Sequence, residues 1–300
     1  MFVTSFLKNR FALVILGLVL LQFVLTSVPV AAAEKAARDD SAAESLGWRL
    51  GVQAYTFRKF TLFETIDIAQ SLGLKYIELY PGQQLSKDRS VKSGHNMSAE
   101  DIAVLKKKLA QAGIKAVNYG VVGLSKNERE SREVFEFAKA IGLETIVTEA
   151  APDAYATIDR LALEYKVRVA IHNHPKPSRF WNAETVLQVC DGRSRRIGSC
   201  SDTGHWMRSG VDPVESLQKL QGRIVTFHLK QIKEFGKHTH DVPFGTGNPD
   251  FIKKILQEMK KQGFKGVFSI EYEHNPEDPT KDVAQCIAFF DQVAREIAGK

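Results

Sequence analysis

Five short stretches of this 300-residue chain carry most of the side chains able to do chemistry. They read TEA (148–150), IHNH (171–174), SDTGHW (201–206), FHLK (227–230) and SIEYEH (269–274). Each ends or follows an apolar, strand-like run, so each puts an acid or an imidazole at the carboxyl end of a strand. Singly, none demands a function. Glu149 could cap the next helix, His228 could be a hydrogen-bonded core histidine, and Glu271 could be an ordinary strand-end carboxylate. What changes the reading is four groups at equivalent depth on four strands, three of them carboxylates. Burying three such charges together is very costly unless a cation neutralises them. A divalent metal is the economical expectation.

The elements that must position these residues form a repeated unit. From Trp48 onward, strand-like runs alternate with stretches of helical spacing. WRLGVQAYTF is followed by TLFETIDIAQSLG, KYIELY by SAEDIAVLKKKLAQAG, and the rhythm continues to FKGVFSIEYE and DPTKDVAQCIAFFDQVAREIAG. Apolar periodicity with Gly and Pro punctuation gives eight such units in about 250 residues, the usual size of a (β/α)₈ barrel. The expectation is therefore an α/β chain with a single TIM barrel over 48–300. Strands such as IVTFHL and VFSIEY are nearly apolar throughout, as when helices cover a parallel sheet. A doubly wound open sheet would need fewer units and a Gly-rich loop after its first strand, where this chain has RKFT. In a barrel the active site lies at the carboxyl ends of the strands. Neighbouring strands are ~4.8 Å apart, so side chains from the fourth, sixth, seventh and eighth can converge on one point.

The set TEA, SDTGHW, FHLK and SIEYE, spaced over a complete barrel, resembles the xylose isomerase-like superfamily of sugar isomerases and epimerases across essentially all of 48–300. The resemblance implies metal ligands at Glu149, Asp202, His228 and Glu271, a mostly oxygen set suited to manganese or magnesium, with cobalt or zinc able to substitute. It implies one such ion, a small sugar as substrate, and proton removal next to a carbonyl through an enediolate. Glu149 and Glu271 are the expected proton-transfer pair. His205 matches the family's substrate-facing histidine. His174, His172, Lys230 and Trp206 are further candidate substrate contacts, and Phe57 reads more simply as core. Relatives often read HLKD after the seventh strand, where this chain has Gln231. Hydration or elimination on a keto-sugar would start from the same metal site, and a catalytically silent sugar-binding module is the alternative of another class. Nuclease-like members of the superfamily add histidines after strands two and three, where this chain reads ELYPG and VNYGVV.

The remaining features bound the setting. Lys8 and Arg10 precede the apolar run FALVILGLVLLQFVL, and Ala31 and Ala33 supply an A-x-A pattern. Residues 1–33 therefore read as a signal peptide cleaved before Glu34, with export to the periplasm or another extracytoplasmic space. An uncleaved N-terminal membrane anchor is the rival reading; after cleavage no stable membrane insertion is expected. Residues 34–47 read as a flexible linker. Cleavage removes Lys8 and Arg10 and no acid, so the formal charge falls from +6 to +4. The lysines sit in pieces such as LKKKLA that look like solvated helix faces, which argues against nucleic acid as a partner. Three cysteines cannot form a complete set of pairs, so no disulfide framework is expected. GTGNPDF reads as a helix cap, with Asn248 at the cap and Pro249 in the first turn, rather than a phosphate cradle. A homo-oligomer is compatible with all of this.

Overall fold

The computed structural model describes residues 38–300; the expected signal peptide over 1–33 lies outside the described residues. Eight strands form the frame: β1 (Trp48–Gln53), β2 (Tyr76–Leu79), β3 (Lys115–Tyr119), β4 (Thr145–Thr148), β5 (Arg168–His172), β6 (Ile197–Asp202), β7 (Ile224–Leu229) and β8 (Gly266–Ile270). All pair in parallel, and β8 pairs with β1 as well as β7, so the sheet closes on itself. This is a TIM barrel. The helices are α1 (Ser41–Ser45), α2 (Leu62–Ser71), α3 (Ala99–Ala112), α4 (Glu128–Ile141), α5 (Tyr155–Tyr165), α6 (Ala183–Cys190), α7 (Thr203–Arg208), α8 (Pro213–Lys219), α9 (Asp250–Lys261) and α10 (Thr280–Ala298). A short antiparallel hairpin, 84–86 with 89–92, is inserted after β2.

Local sequence explains where the helices begin and stop. Thr61 and Glu64 form a reciprocal capping box at α2, and the side chains of Ser98, Asn127 and Asn182 accept from first-turn amides of α3, α4 and α6. Gly113 and Gly142 end α3 and α4 with φ of 65° and 87°, a left-handed conformation in which a side chain is strained. At α9 the expected cap shifts by one residue, and Pro249 itself is the N-cap.

Period-two alternation sorts each strand into an outward face against the helices and an inward face. Val147, Ala170 and Cys200 pack together in one buried cluster. Two residues further along the same strands, or just past them, come Glu149, His172 and Asp202. Thr226 and Ser269 stand in the same relation to His228 and Glu271. The barrel interior is thus filled below the mouth, and the chemistry-bearing residues form the next layer up.

The expected linker does not hold for its described part. Residues 41–45 are helical, and Ala42, Ala43 and Leu46 are buried in the main core. Arg38 makes a two-pronged ion pair with Asp291 of α10, both contacts 2.7 Å, with less than a tenth of either side chain exposed. Small residues there let the segment lie close against the barrel, which composition alone makes look like a spacer. Asp291→Ala should leave the Arg38 charge buried and unpaired, at a cost of roughly 3 kcal/mol. Urea unfolding of the two proteins measures it. Among the described residues no helix is long and apolar enough to cross a membrane.

Candidate metal centre and active site

At the carboxyl end of the barrel, Asp202 and His205 are placed by one local device. Asp202 ends β6 and caps α7, its side chain accepting from the His205 amide at 2.8 Å. The D-x-x-H spacing is therefore an N-cap, which sets the imidazole above the carboxylate. Asn173 brackets the Asp202 backbone, accepting from its N–H at 2.8 Å and donating to its carbonyl at 2.9 Å. Thr203 does the same for Lys230. Hence β5, β6 and β7 are tied together at the height where their functional side chains emerge.

Two histidines are oriented from behind by carboxylates. His228 Nε2 is 2.8 Å from Glu78, and His172 Nδ1 is 3.1 Å from Glu149. A neutral imidazole donates from one nitrogen and accepts on the other. Donation outward to those carboxylates leaves His228 Nδ1 and His172 Nε2 as lone pairs facing inward. Glu78 is fully buried, yet it also receives hydrogen bonds from Gln53, Asn118 and Ser269, so its charge is well satisfied.

The inward nitrogens meet two carboxylates. One atom each from His172, Asp202, His228 and Glu271 lies within 4.8 Å of the others, and all four residues are buried. His172 Nε2, Asp202 Oδ2, His228 Nδ1 and Glu271 Oε2 are all buried without a well-formed hydrogen bond. His228 Nδ1 stands 2.8 Å from Glu271 Oε2, a repulsive approach for two lone pairs. A proton would relieve that one contact; a divalent cation would relieve all four. This buried group could therefore hold a metal, and the Glu78 and Glu149 carboxylates behind its two histidines are the kind of partner that orients a metal-binding imidazole.

Lys230 supplies part of the counter-charge. Its buried ammonium is 3.1 Å from Asp202 Oδ2, 3.1 Å from Glu271 Oε2, and bonded to Glu273. Burial opposes the charge, but these carboxylates outweigh it and hold the lysine well above its ordinary pKa. In the same way burial opposes the Glu271 carboxylate, and Lys230 and His228 bring it well below the usual range.

Glu149 is expected among the metal ligands and His172 among the substrate contacts; the fully buried group of four contains His172, while Glu149 stands with His172 and His174 in an adjoining group that could also hold a metal. One Glu149 oxygen receives His172, the His174 ring at 2.5 Å and the His174 amide at 2.8 Å, while the other receives Ser178 at 2.9 Å. Glu149 lies one residue beyond β4, and the donors of the IHNH turn capture it there. Trp206 is not a sugar platform. It is fully buried in the core, as is Phe57, because α7 turns that face toward the barrel wall. Lys230, expected to touch substrate, is enclosed among carboxylates.

A pocket of about 420 Å³ adjoins the cluster, lined on one side by His174, His205, Glu271 and Glu273. The other side comes from the ends of the first three strands: Gln53 and Tyr55, Tyr80 and Pro81, Gly120 and Val121. The Tyr55 and Tyr80 rings meet edge to face at 5.3 Å. Glu78, Asn173, Arg208 and Asp241 are the functional neighbours that motif reading misses. For Glu78 the visible signal was a carboxylate inside the strand YIEL, where an unpaired charge is costly.

Residues 66–292 match the family described as xylose isomerase-like TIM barrel. Among solved structures, an uncharacterised protein of Parabacteroides distasonis is 34% identical and superposes with a TM-score of 0.68, covering 82% of this chain and 99% of that one. A D-tagatose 3-epimerase-like protein superposes with a TM-score of 0.65 at 19% identity, covering 83% of this chain and 99% of that one. The rhizopine catabolism protein MocC of Rhizobium meliloti is 29% identical over 133 residues, which span 39% of this chain and 40% of that protein.

Proposed function

This chain belongs to the xylose isomerase-like TIM-barrel family, and from that premise and the geometry of its mouth we propose that it is a metal-dependent isomerase or epimerase of a keto-sugar. The observation that carries the reading is the convergence of four buried ligand-type atoms, on His172, Asp202, His228 and Glu271, with the Lys230 ammonium beside the two carboxylates, next to a pocket of sugar-accommodating size. The epimerase-like fold neighbour supports the same class. A divalent ion there would act as a Lewis acid, acidifying the C–H bond next to a carbonyl. With two imidazoles and two carboxylates, the donor set suits manganese, cobalt or zinc better than magnesium.

The protein's own groups would do the rest. Glu271 borders both the cluster and the pocket, and its ionised carboxylate takes the proton from carbon. His174 is half exposed in the pocket wall, with Glu149 fixing its ring from behind, and it carries a proton to or from the substrate. Tyr55, Tyr80 and Pro81 form the less polar wall against which a ring can lie. The Glu149–His174 pair also favours a second reading. An imidazole able to protonate a leaving hydroxyl suits a hydratase or lyase acting on the same kind of keto-sugar.

Deuterium labelling separates the readings. Purified protein with manganese is incubated in deuterium oxide with free and keto-oxidised sugars. Label at the carbon beside the carbonyl, with inverted configuration or a shifted carbonyl, supports the isomerase or epimerase; loss or gain of water supports the second reading. Binding without exchange would indicate a silent sugar-binding module and overturn both.

Metal loading should depend on pH. Burial disfavours a charged His228, but Cys200, Glu78 and Glu271 raise its pKa well above the ordinary value in the metal-free protein. Loading must therefore expel that proton, so affinity should rise with pH and fall as acid returns it. Titration calorimetry in two buffers of different ionisation enthalpy reads the released proton directly.

Export is part of the same proposal. Protein recovered from its native host should begin near Glu34 and lie in the extracytoplasmic fraction. N-terminal sequencing that instead returns Met1 from membranes would favour the anchor.

A further inference from the structure

His205 has two ring nitrogens and a cation at each. Arg208 Nη1 is 3.0 Å from Nδ1, and Lys230 Nζ is 3.4 Å from Nε2. A neutral imidazole accepts at only one of them. A guanidinium has no acceptor and does not lose its proton, so Arg208 can only donate. It is also held in place, because its other amino group is bonded to Asp241, a buried residue that returns from the loop after β7. Asp241 in turn receives the Glu273 amide at 2.6 Å, which ties the pair to the end of β8. Lys230 is less committed to the ring, since its ammonium lies closer to oxygens of Asp202, Glu271 and Glu273 than to His205.

We propose that Arg208, anchored by Asp241, is a positioning residue that makes His205 Nδ1 the acceptor and leaves Nε2–H as a donor for a substrate oxygen. His205 lines the pocket beside Glu271, so the donor stands next to the group that takes the proton. Negative charge builds on the carbonyl oxygen as that proton leaves, and a fixed N–H aimed there stabilises it. The imidazole therefore serves as an electrophile rather than a base. The spacing is built into α7: Asp202, His205 and Arg208 are three apart and share one helix face. The catalytic consequence rests on the enolising reaction proposed above; the tautomer does not.

The test reads the tautomer directly. Full-length mature protein is labelled with ¹⁵N-histidine, with and without zinc, and His205 is assigned by its loss in His205→Asn. Protonated and unprotonated ring nitrogens resonate far apart, so long-range ¹H–¹⁵N spectra should show Nε2 protonated and Nδ1 bare. Arg208→Lys, which still donates, should keep that pattern, while Arg208→Met and Asp241→Asn should lose it to the other tautomer or a mixture. A wild-type ring protonated at Nδ1, or an unchanged pattern in a folded Arg208→Met protein, would overturn the proposal. The wild-type spectrum decides the question even if Arg208→Met fails to fold. With a sugar found by labelling, Arg208→Met should lower turnover by on the order of 10²-fold with little change in KM, and Arg208→Lys should recover much of it. If no sugar is labelled, the proposed reaction fails and the spectroscopic result still stands.

Discussion

Glu271→Gln should remove nearly all turnover from a protein that still folds, still takes up metal and still binds a keto-sugar. The amide keeps the side chain's shape and one oxygen for the cluster, but it cannot accept a proton from carbon. Loss of a positioned general base lowers rate by on the order of 10²–10⁴-fold. Deuterium incorporation at the carbon beside the carbonyl is the measurement, because it reports the proton step whatever product forms. Glu149→Gln is the informative partner. The His172 and His174 donors share one Glu149 oxygen, which an amide keeps, so the two rings should stay placed while losing the carboxylate charge behind them. Equal collapse of exchange in both variants, with metal retained in both, would return Glu149 to the role of second proton carrier.

The second large effect concerns the ion. His172→Ala, Asp202→Ala and His228→Ala should each purify without the roughly one divalent ion per chain expected of wild type, since removing one donor of four cripples such a site. Glu149→Ala should weaken binding by about 10–100-fold, as loss of a carboxylate behind a metal-binding histidine does. Elemental analysis and competition with a chelating dye read these outcomes. Unfolding gives an independent check, because free metal at a hundredfold excess over Kd stabilises the fold by about 2.7 kcal/mol. That increment should vanish in the three cluster variants. Metal kept by His172→Ala and lost by Glu149→Ala would reverse the assignment. Two or three tightly held zinc ions per chain would revive the nuclease-like chemistry instead.

The barrel was legible because its cause is periodic. Eight alternations of apolar run and helical spacing leave few arrangements, and residues such as Ser98 and Gly113 mark helix ends with a local mechanism. The D-x-x-H motif was legible for the same reason, since an N-cap fixes both residues within one turn. Glu149 and His172 were harder to assign. Whether a strand-end side chain points to the centre or is captured by the next turn depends on the donors that the neighbouring strand's turn presents, here His174 and Ser178, and chain spacing does not encode that. Trp206 failed on the same ground: a helix six residues long presents one face to the pocket and the other to the core. Glu78 and Asp241 act through partners 25 or more positions away in sequence, so no local pattern announces them, and Arg208, three positions after His205, is fixed by Asp241 33 positions on. The segment from Arg38 to Leu46 is ambiguous in sequence because small residues suit a spacer and a tight packing contact equally well.

One feature of the mouth bears on how such an enzyme can change. The ionisable lining, His174, His205, Glu271 and Glu273, comes from the second half of the barrel, and the uncharged wall from the ends of β1, β2 and β3. In the proposed reaction, the ionisable groups that face the pocket thus come from one half of the chain and the uncharged wall from the other, with Glu78 of β2 reaching across to His228. Substitution at Tyr55, Tyr80 or Val121 reshapes what fits without disturbing a single donor to the cluster. If the proposed reaction holds, a lineage that keeps the second half together with Gln53, Glu78 and Asn118 can acquire new substrates through drift in three loops, each step leaving the proton-transfer centre in place. Selection for a new sugar would therefore leave its marks near residues 55, 80 and 121, and laboratory libraries aimed at altered specificity belong there.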